Sequence, residues 1–369
     1  MDMSVKQLFQ SGTLGNLILK NRFVLAPMTR ISATATGDVG PLMTKYYKGF
    51  ARGGFGAVIT EGVYTDRAYS QGYKGQPGIA DASQQESWKK LIHKVKGEDT
   101  KIIMQLMHAG ALSQFNGFSS ETCGPSAVLP KGEQMAFYHG RGGYVRPKEM
   151  TSEEIKIAIS GFVNAAQRAQ DAGVDGIEIH GANGYLLDQF LTDYTNIRKD
   201  EYGGDVISRL RLTSEIIERV REKVGKTFTL GVRISQAKVN DFEHKWRGQI
   251  EDAQTIFTGI AKTGVSYIHT TEFLATAPAF NSGSSLAKLA REFSGLPVIA
   301  NGGLNSPDQA MDMIKTEQAQ FVAIGKGALA APDLPKRILK EEPLPEFDFA
   351  MLMPIADIKV SELSTVNNG

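Results

Sequence analysis

His180, Asn183 and Tyr185 fall in one short segment, His180-Gly-Ala-Asn183-Gly-Tyr185. From a single turn, an imidazole N–H and a carboxamide N–H can converge on one oxygen. Two such donors stabilise an enolate-like oxyanion as it forms. The phenol two residues further on can deliver a proton. The plainer reading is a structural histidine beside ordinary turn residues. Nucleophilic catalysis is less natural, because neither Ser nor Cys adjoins His180. A metal is not indicated, since His180 has no partner at HExxH spacing.

A second group of residues could hold phosphate. Gly302 and Gly303 follow one apolar run, and Gly325-Lys326-Gly327 ends another. Glycines let backbone N–H groups approach phosphate oxygens, and Lys326 adds charge. The plainer reading is ordinary turn glycines. Gly325-x-Gly327-x-x-Ala330 also mimics a dinucleotide fingerprint, but too little chain follows for a second βαβ half. A third group is Thr29, Gln105 and Arg233, each in or just after an apolar run. A buried Arg needs an anionic partner. Taken singly, each of the three reads first as an inward polar residue that stabilises a barrel.

These residues need a frame. Eight short apolar runs read as strands: Phe23–Met28, Ala57–Glu61, Ile102–Met107, Gly176–His180, Thr227–Arg233, Tyr267–Thr271, Pro297–Asn301 and Phe321–Gly325. Most precede an amphipathic helical stretch, the pattern of a parallel sheet buried on both faces. Eight such units predict an α/β fold, a (β/α)8 TIM barrel, with the chain from 1 to 369 forming a single domain. Thr151-Ser-Glu-Glu154 predicts a capped helix start, with Gly173 as its stop. Ser306-Pro307 predicts another start, and Pro332 a third. Residues 108–150 lack a βα helix and are rich in Gly, Ser, Pro and aromatics, including Phe137 and Tyr138. An excursion this long after the third strand is expected to cap the active-site face. A polar tail is expected from about residue 361.

Composition narrows the function classes. Lys plus Arg is 41 and Asp plus Glu is 40, so no basic stripe points to nucleic acid and no charged face to a membrane. The single cysteine, Cys123, excludes an internal disulfide and a cysteine metal cluster. No signal peptide or transmembrane run is evident, so the expected location is cytoplasmic. The expected partners are small molecules, with the chain acting as a monomer or homodimer.

Taken in order, the segments resemble the old yellow enzyme family. The matching residues are Ala26-Pro27-Met28-Thr29-Arg30, Thr60-Glu61-Gly62, Gln105-Leu106, Gly124-Pro125-Ser126, His180 to Phe190, Asn196-x-Arg198-x-Asp200-x-Tyr202-Gly-Gly204, Ala300-Asn-Gly-Gly303 and Ala323-Ile-Gly-Lys326. The resemblance implies noncovalent FMN in the barrel, reduced by NADPH or NADH in ping-pong fashion. It implies reduction of the C=C bond of α,β-unsaturated carbonyl compounds, with hydride from flavin N5. By the resemblance, His180 and Asn183 hold the carbonyl oxygen and Tyr185 protonates the α-carbon. Thr29, Gln105 and Arg233 meet the polar edge of the ring, and Pro27, Met28 and Gly62 line it through backbone. Gly302, Gly303, Gly325 and Lys326 lie at the phosphate.

The chain departs from the family pattern in places. Lys326 stands where Arg is common, keeping the charge but losing the bidentate fork. Met107 replaces an aromatic residue and softens the substrate wall. Phe273 and Phe280 are expected in another part of that wall. Nitrate esters, nitroaromatics and N-ethylmaleimide are alternative acceptors for the same site. A different class of function is an FMN sensor or store without turnover.

Overall fold

The computed structural model describes residues 5–281 and 283–364. Eight parallel strands close into a barrel: β1 (Phe23–Leu25), β2 (Ala57–Ile59), β3 (Lys101–Met107), β4 (Gly176–Asn183), β5 (Thr229–Lys238), β6 (Tyr267–Thr271), β7 (Val298–Asn301) and β8 (Phe321–Ile324). Each pairs with its sequence neighbours, β8 pairs with β1, and β2 with β3. The surrounding helices are α1 (Pro41–Arg52), α2 (Ala82–Val95), α3 (Ser152–Ala172), α4 (Val206–Val224), α5 (Gln249–Ala261), α6 (Leu286–Ser294) and α7 (Pro307–Lys315), with α8 (Lys326–Ala330) and α9 (Leu334–Leu339) after β8. This is the expected (β/α)8 barrel. Among the described residues no helix is long and apolar enough to cross a membrane.

The helix signals act as read at two of three places. Thr151 and Glu154 form a reciprocal capping box, and Gly173 ends α3 in the left-handed region at φ 95°. Ser306 and Gln309 form a second box ahead of Pro307. The third start is corrected: Pro332 precedes the helix, and Pro335 occupies the first turn of α9.

The barrel interior is layered. An N-terminal hairpin, Gly12–Leu14 against Leu17–Leu19, pushes Leu14 and Leu19 into a cluster with Val24, Ile59, Ile103, Tyr267 and Phe321. Because side chains alternate along a strand, the next inward positions carry Gln105, Glu178, Arg233 and His269. That plug and the polar layer above it leave the functional face at the strand carboxyl ends.

Strand ends depart from expectation. β1 and β2 stop short, at Leu25 and Ile59; beyond them Ala26 to Arg30 and Gly62 line the cavity, while buried Glu61 accepts from the Arg30 and Ile31 N–H groups. β4 and β5 run further, to Asn183 and Lys238, with a bulge in their pairing between Ile234 and Lys238. The bulge re-aims the end of β5.

The excursion after β3 is ordered, with a two-stranded ribbon of Cys123–Gly124 and Lys148–Glu149. The Asn196-to-Gly204 block ties it down. Arg198 bridges Asp200 and donates to the carbonyls of Pro125 and Met150 at 2.8 and 2.7 Å. The polar tail expected from about 361 begins within a short helix, Val360–Ser364, and residues 365–369 lie outside the described set. Buried Arg30 holds this end by donating to Ala356 O, Asp357 O and the Glu362 carboxylate at 3.0, 2.9 and 2.7 Å.

Candidate active site

A cavity of ≈590 Å³ opens at the carboxyl ends of the strands, and all eight strands or the turns after them contribute to its lining. It gathers every expected site residue: Pro27, Met28, Thr29, Gly62, Gln105, Met107, His180, Asn183, Tyr185, Arg233, Phe273, Gly302, Gly303, Gly325 and Lys326. Phe280 is the exception. It packs against the hydrophobic core instead of the cavity wall. Phe273 lines the cavity but is 71% exposed, so it forms a lip at the mouth.

His180 is buried near the end of β4. The Ala182 N–H donates to its Nδ1 at 3.3 Å, so the neutral ring carries its proton on Nε2. Burial, with Arg233 and His269 nearby, holds the imidazole well below its usual value. His180 is therefore a neutral N–H donor at pH 7. Asn183 ends β4 at φ 63°, a left-handed conformation that Asn tolerates better than most residues. Its N–H is fixed by Ser235 Oγ at 2.8 Å.

Tyr185 is 5% exposed, and burial pushes its phenol up to about 12. It is a held acid, protonated across the physiological range. Its hydroxyl lies 2.6 Å from that of Tyr73.

Arg233 is buried, and Nη2 donates to Thr271 Oγ1 and Asn301 Oδ1 at 3.1 and 2.7 Å. Its Nε has no partner. Among the described residues no carboxylate is in ion-pair contact with it, and Glu178 acts on it only through space. Glu178 is occupied by Gln105 Nε2, Tyr267 OH and His269 Nδ1 at 2.7, 3.0 and 3.0 Å. Burial lowers Arg233 to about 10, so it remains charged at neutral pH. A buried cation with a free N–H, lining a cavity, fits an anionic group held there.

Glycines shape the far end. A Cβ at Gly302 would sit 2.1 Å from the Glu272 carbonyl oxygen, and φ is 135°. Only glycine fits that turn. Gly303, Asn305, Gly325 and exposed Lys326 continue this end of the cavity. A glycine turn beside a lysine is a donor set suited to phosphate.

The sequence reading missed several residues that the fold brings in. Asn301 joins Arg233 to the Ala323 carbonyl. Tyr73 arrives from the loop after β2. Phe347, Phe349 and Leu352 return from beyond α9 to line the cavity. Phe349 packs edge-on against Phe137 of the cap at 5.7 Å, and Tyr138 donates to Thr29 O at 3.2 Å.

The chain is similar to known proteins in sequence and fold. Residues 7–344 match the model of the NADH:flavin oxidoreductase / NADH oxidase family. The chain belongs to this family. It is 33% identical to an NADH oxidase of Thermoanaerobacter brockii over 89% of its own length, and spans 50% of that relative. It is 33% identical to a putative 12-oxophytodienoate reductase 6 of Oryza sativa, covering 92% of this chain and 85% of the other. The old yellow enzyme homologue of Zymomonas mobilis superposes with a TM-score of 0.84 at 27% identity, covering 96% and 99% of the two chains. The old yellow enzyme resemblance read from the motifs therefore holds, and the barrel of this flavin oxidoreductase family is the frame those motifs occupy.

Proposed function

We propose that this chain is an NAD(P)H-dependent, FMN-bearing oxidoreductase that reduces the activated C=C bond of α,β-unsaturated carbonyl compounds. The observation that carries the reading is the pairing, in one cavity, of a neutral His180 N–H donor with a protonated Tyr185.

The residues fit FMN. Arg233 offers a buried charge and a free N–H to the anionic reduced ring, and Thr29 and Gln105 offer polar groups to its edge. Pro27, Met28 and Gly62 supply a close backbone surface; a Cβ at Gly62 would meet Met107 Sδ at 2.4 Å. Gly302, Gly303, Gly325 and Lys326 suit the phosphate. Held by these residues, FMN would supply the hydride chemistry, with NADPH or NADH as donor and the substrate β-carbon as acceptor.

The remaining work falls to the chain. His180 and Asn183 donate to the carbonyl oxygen and stabilise the negative charge that grows there; one such donor is typically worth ~10²–10³ in rate. A neutral imidazole donates without itself being consumed as an acid. Tyr185 then passes its proton to the α-carbon. Met107 and the cap residues Phe137 and Tyr138 form part of the wall around the substrate.

The deciding experiment is an anaerobic visible spectrum of the purified protein with NADPH, followed by 2-cyclohexenone. Bleaching and then recolouring establishes both half-reactions. Bleaching without recolouring keeps the flavin and rejects the enone. A protein that stays colourless after FMN is added overturns the reading.

His180→Ala provides a separate check. A phenolate oxygen imitates the growing enolate, so loss of one donor is expected to weaken phenol binding by about 10-fold or more. Titrating the long-wavelength charge-transfer band measures this, and a band of unchanged affinity would remove His180 from the oxygen site.

A further inference from the structure

We propose that Tyr73 is a positioning residue for proton delivery: its hydroxyl donates to the Tyr185 oxygen and leaves the Tyr185 proton facing the cavity. The inference rests on the assignment of Tyr185 as the acid. It is carried by hydrogen-bond accounting in an enclosed cluster.

Tyr73 is 0% exposed. Its ring packs against Tyr138 at 4.8 Å, among Ile31, Leu112 and Tyr144. Among the described residues, the Tyr185 hydroxyl is its only side-chain hydrogen-bond partner, at 2.6 Å. Tyr185 lines the cavity and Tyr73 does not. Two arrangements of the protons are available. If Tyr185 donated, the Tyr73 hydrogen would point into apolar surroundings with no acceptor, which buried hydroxyls avoid. If Tyr73 donates, both hydrogens are placed, one on Tyr185 and the other toward substrate or solvent in the cavity. Burial thus fixes the direction of the bond.

The direction has a chemical consequence. As hydride from the reduced flavin reaches the β-carbon, the electron pair of the C=C bond moves toward the carbonyl. The Tyr185 O–H bond then breaks, a C–H bond forms at the α-carbon, and Tyr185 is left as a phenolate until solvent returns a proton. The Tyr73 hydroxyl already points at that oxygen, so its hydrogen bond becomes charge-assisted as the phenolate develops. The groups facing this pair are Tyr138 and Tyr144 from the cap, His180 on β4 and Arg233 on β5. The tyrosines are held protonated by burial, and His180 is neutral. Arg233 is the one cation among them, and it too favours the phenolate.

Tyr73→Phe in the FMN-loaded protein tests this. Enone-driven reoxidation is expected to slow by about 10- to 100-fold, the loss of one hydrogen bond to a charged oxygen. Reduction by NADPH, FMN affinity and the enone KM should stay within about 2-fold. The double variant Tyr73→Phe/Tyr185→Phe should be no slower than Tyr185→Phe alone, because the two groups act as a unit. Fluorine NMR of protein carrying 3-fluorotyrosine at position 185 gives a direct readout: its titration midpoint should move to higher pH when Tyr73 becomes Phe. Should that variant fold poorly, 3-fluorotyrosine at position 73 makes the donor more acidic and should move turnover the other way. Wild-type reoxidation in Tyr73→Phe with a slow Tyr185→Phe overturns this inference alone. A wild-type Tyr185→Phe overturns the assignment beneath it.

Discussion

Tyr185→Phe is expected to leave FMN bound and reducible by NADPH while turnover of a 2-enone falls by ~10²-fold or more. The substitution removes one oxygen from a buried ring, so the aromatic packing against His180 at 5.0 Å stays in place. What disappears is the proton. A phenol held up to about 12 by burial is a weak acid in isolation. On the proposed mechanism it would be effective because transfer is to a carbon bearing growing negative charge, with Tyr73 and Arg233 placed to stabilise the phenolate left behind. Stopped-flow separation of the two half-reactions measures the effect. A normal first half with a slow second half is the expected pattern, and an unchanged second half would remove Tyr185 from the chemistry.

Arg233→Met is expected to weaken FMN binding by ~10²-fold or more while the cofactor-free protein melts at the same temperature or higher. The opposite signs follow from burial. Without an anion in the cavity, Arg233 is a desolvated cation whose Nε, among the described residues, has no hydrogen-bond partner and which has no carboxylate in contact there. Breaking a buried charge pair costs ~3–5 kcal/mol, whereas replacing a poorly compensated charge with an apolar side chain is often neutral or stabilising. Thr271 and Asn301 remain bonded to each other at 2.9 Å, so few groups are orphaned. Calorimetry of the apoprotein and FMN titration together decide the matter. A lower melting temperature with intact FMN affinity would make Arg233 a strut of the barrel.

The barrel was legible because its strands are short apolar runs with helix caps between them, and each carries its own local signal. The Tyr267–Thr271 strand matches residue for residue. The β5 extension to Lys238 was not legible, because a bulge leaves no mark in an alternation pattern. His180, Asn183 and Tyr185 could be read as one site because adjacent positions hold them. Tyr73 could not: it lies 112 residues from Tyr185, and only the closed barrel brings the two hydroxyls together. Phe280 was misplaced for the converse reason. Its distance from β6 suited the wall, but the turn there folds it inward onto the core. The aromatic residues beyond α9 carry no periodicity that ties them to a site, yet Phe347 and Phe349 line it.

The grip of Arg30 on Ala356, Asp357 and Glu362 bears on when the site is finished during synthesis. These bonds join residues 326 to 332 positions apart, and Arg30 directly follows Thr29, which lines the cavity. Contacts this distant in sequence form late, and a chain emerging from its N-terminus makes them only once residues 356–362 have emerged. A nascent chain halted before Ala356 would have all eight strands available yet lack the anchor for the segment that covers the cavity. On the proposed cofactor site, closing the cavity over FMN would thus wait until residues 356–362 have been made and have reached Arg30.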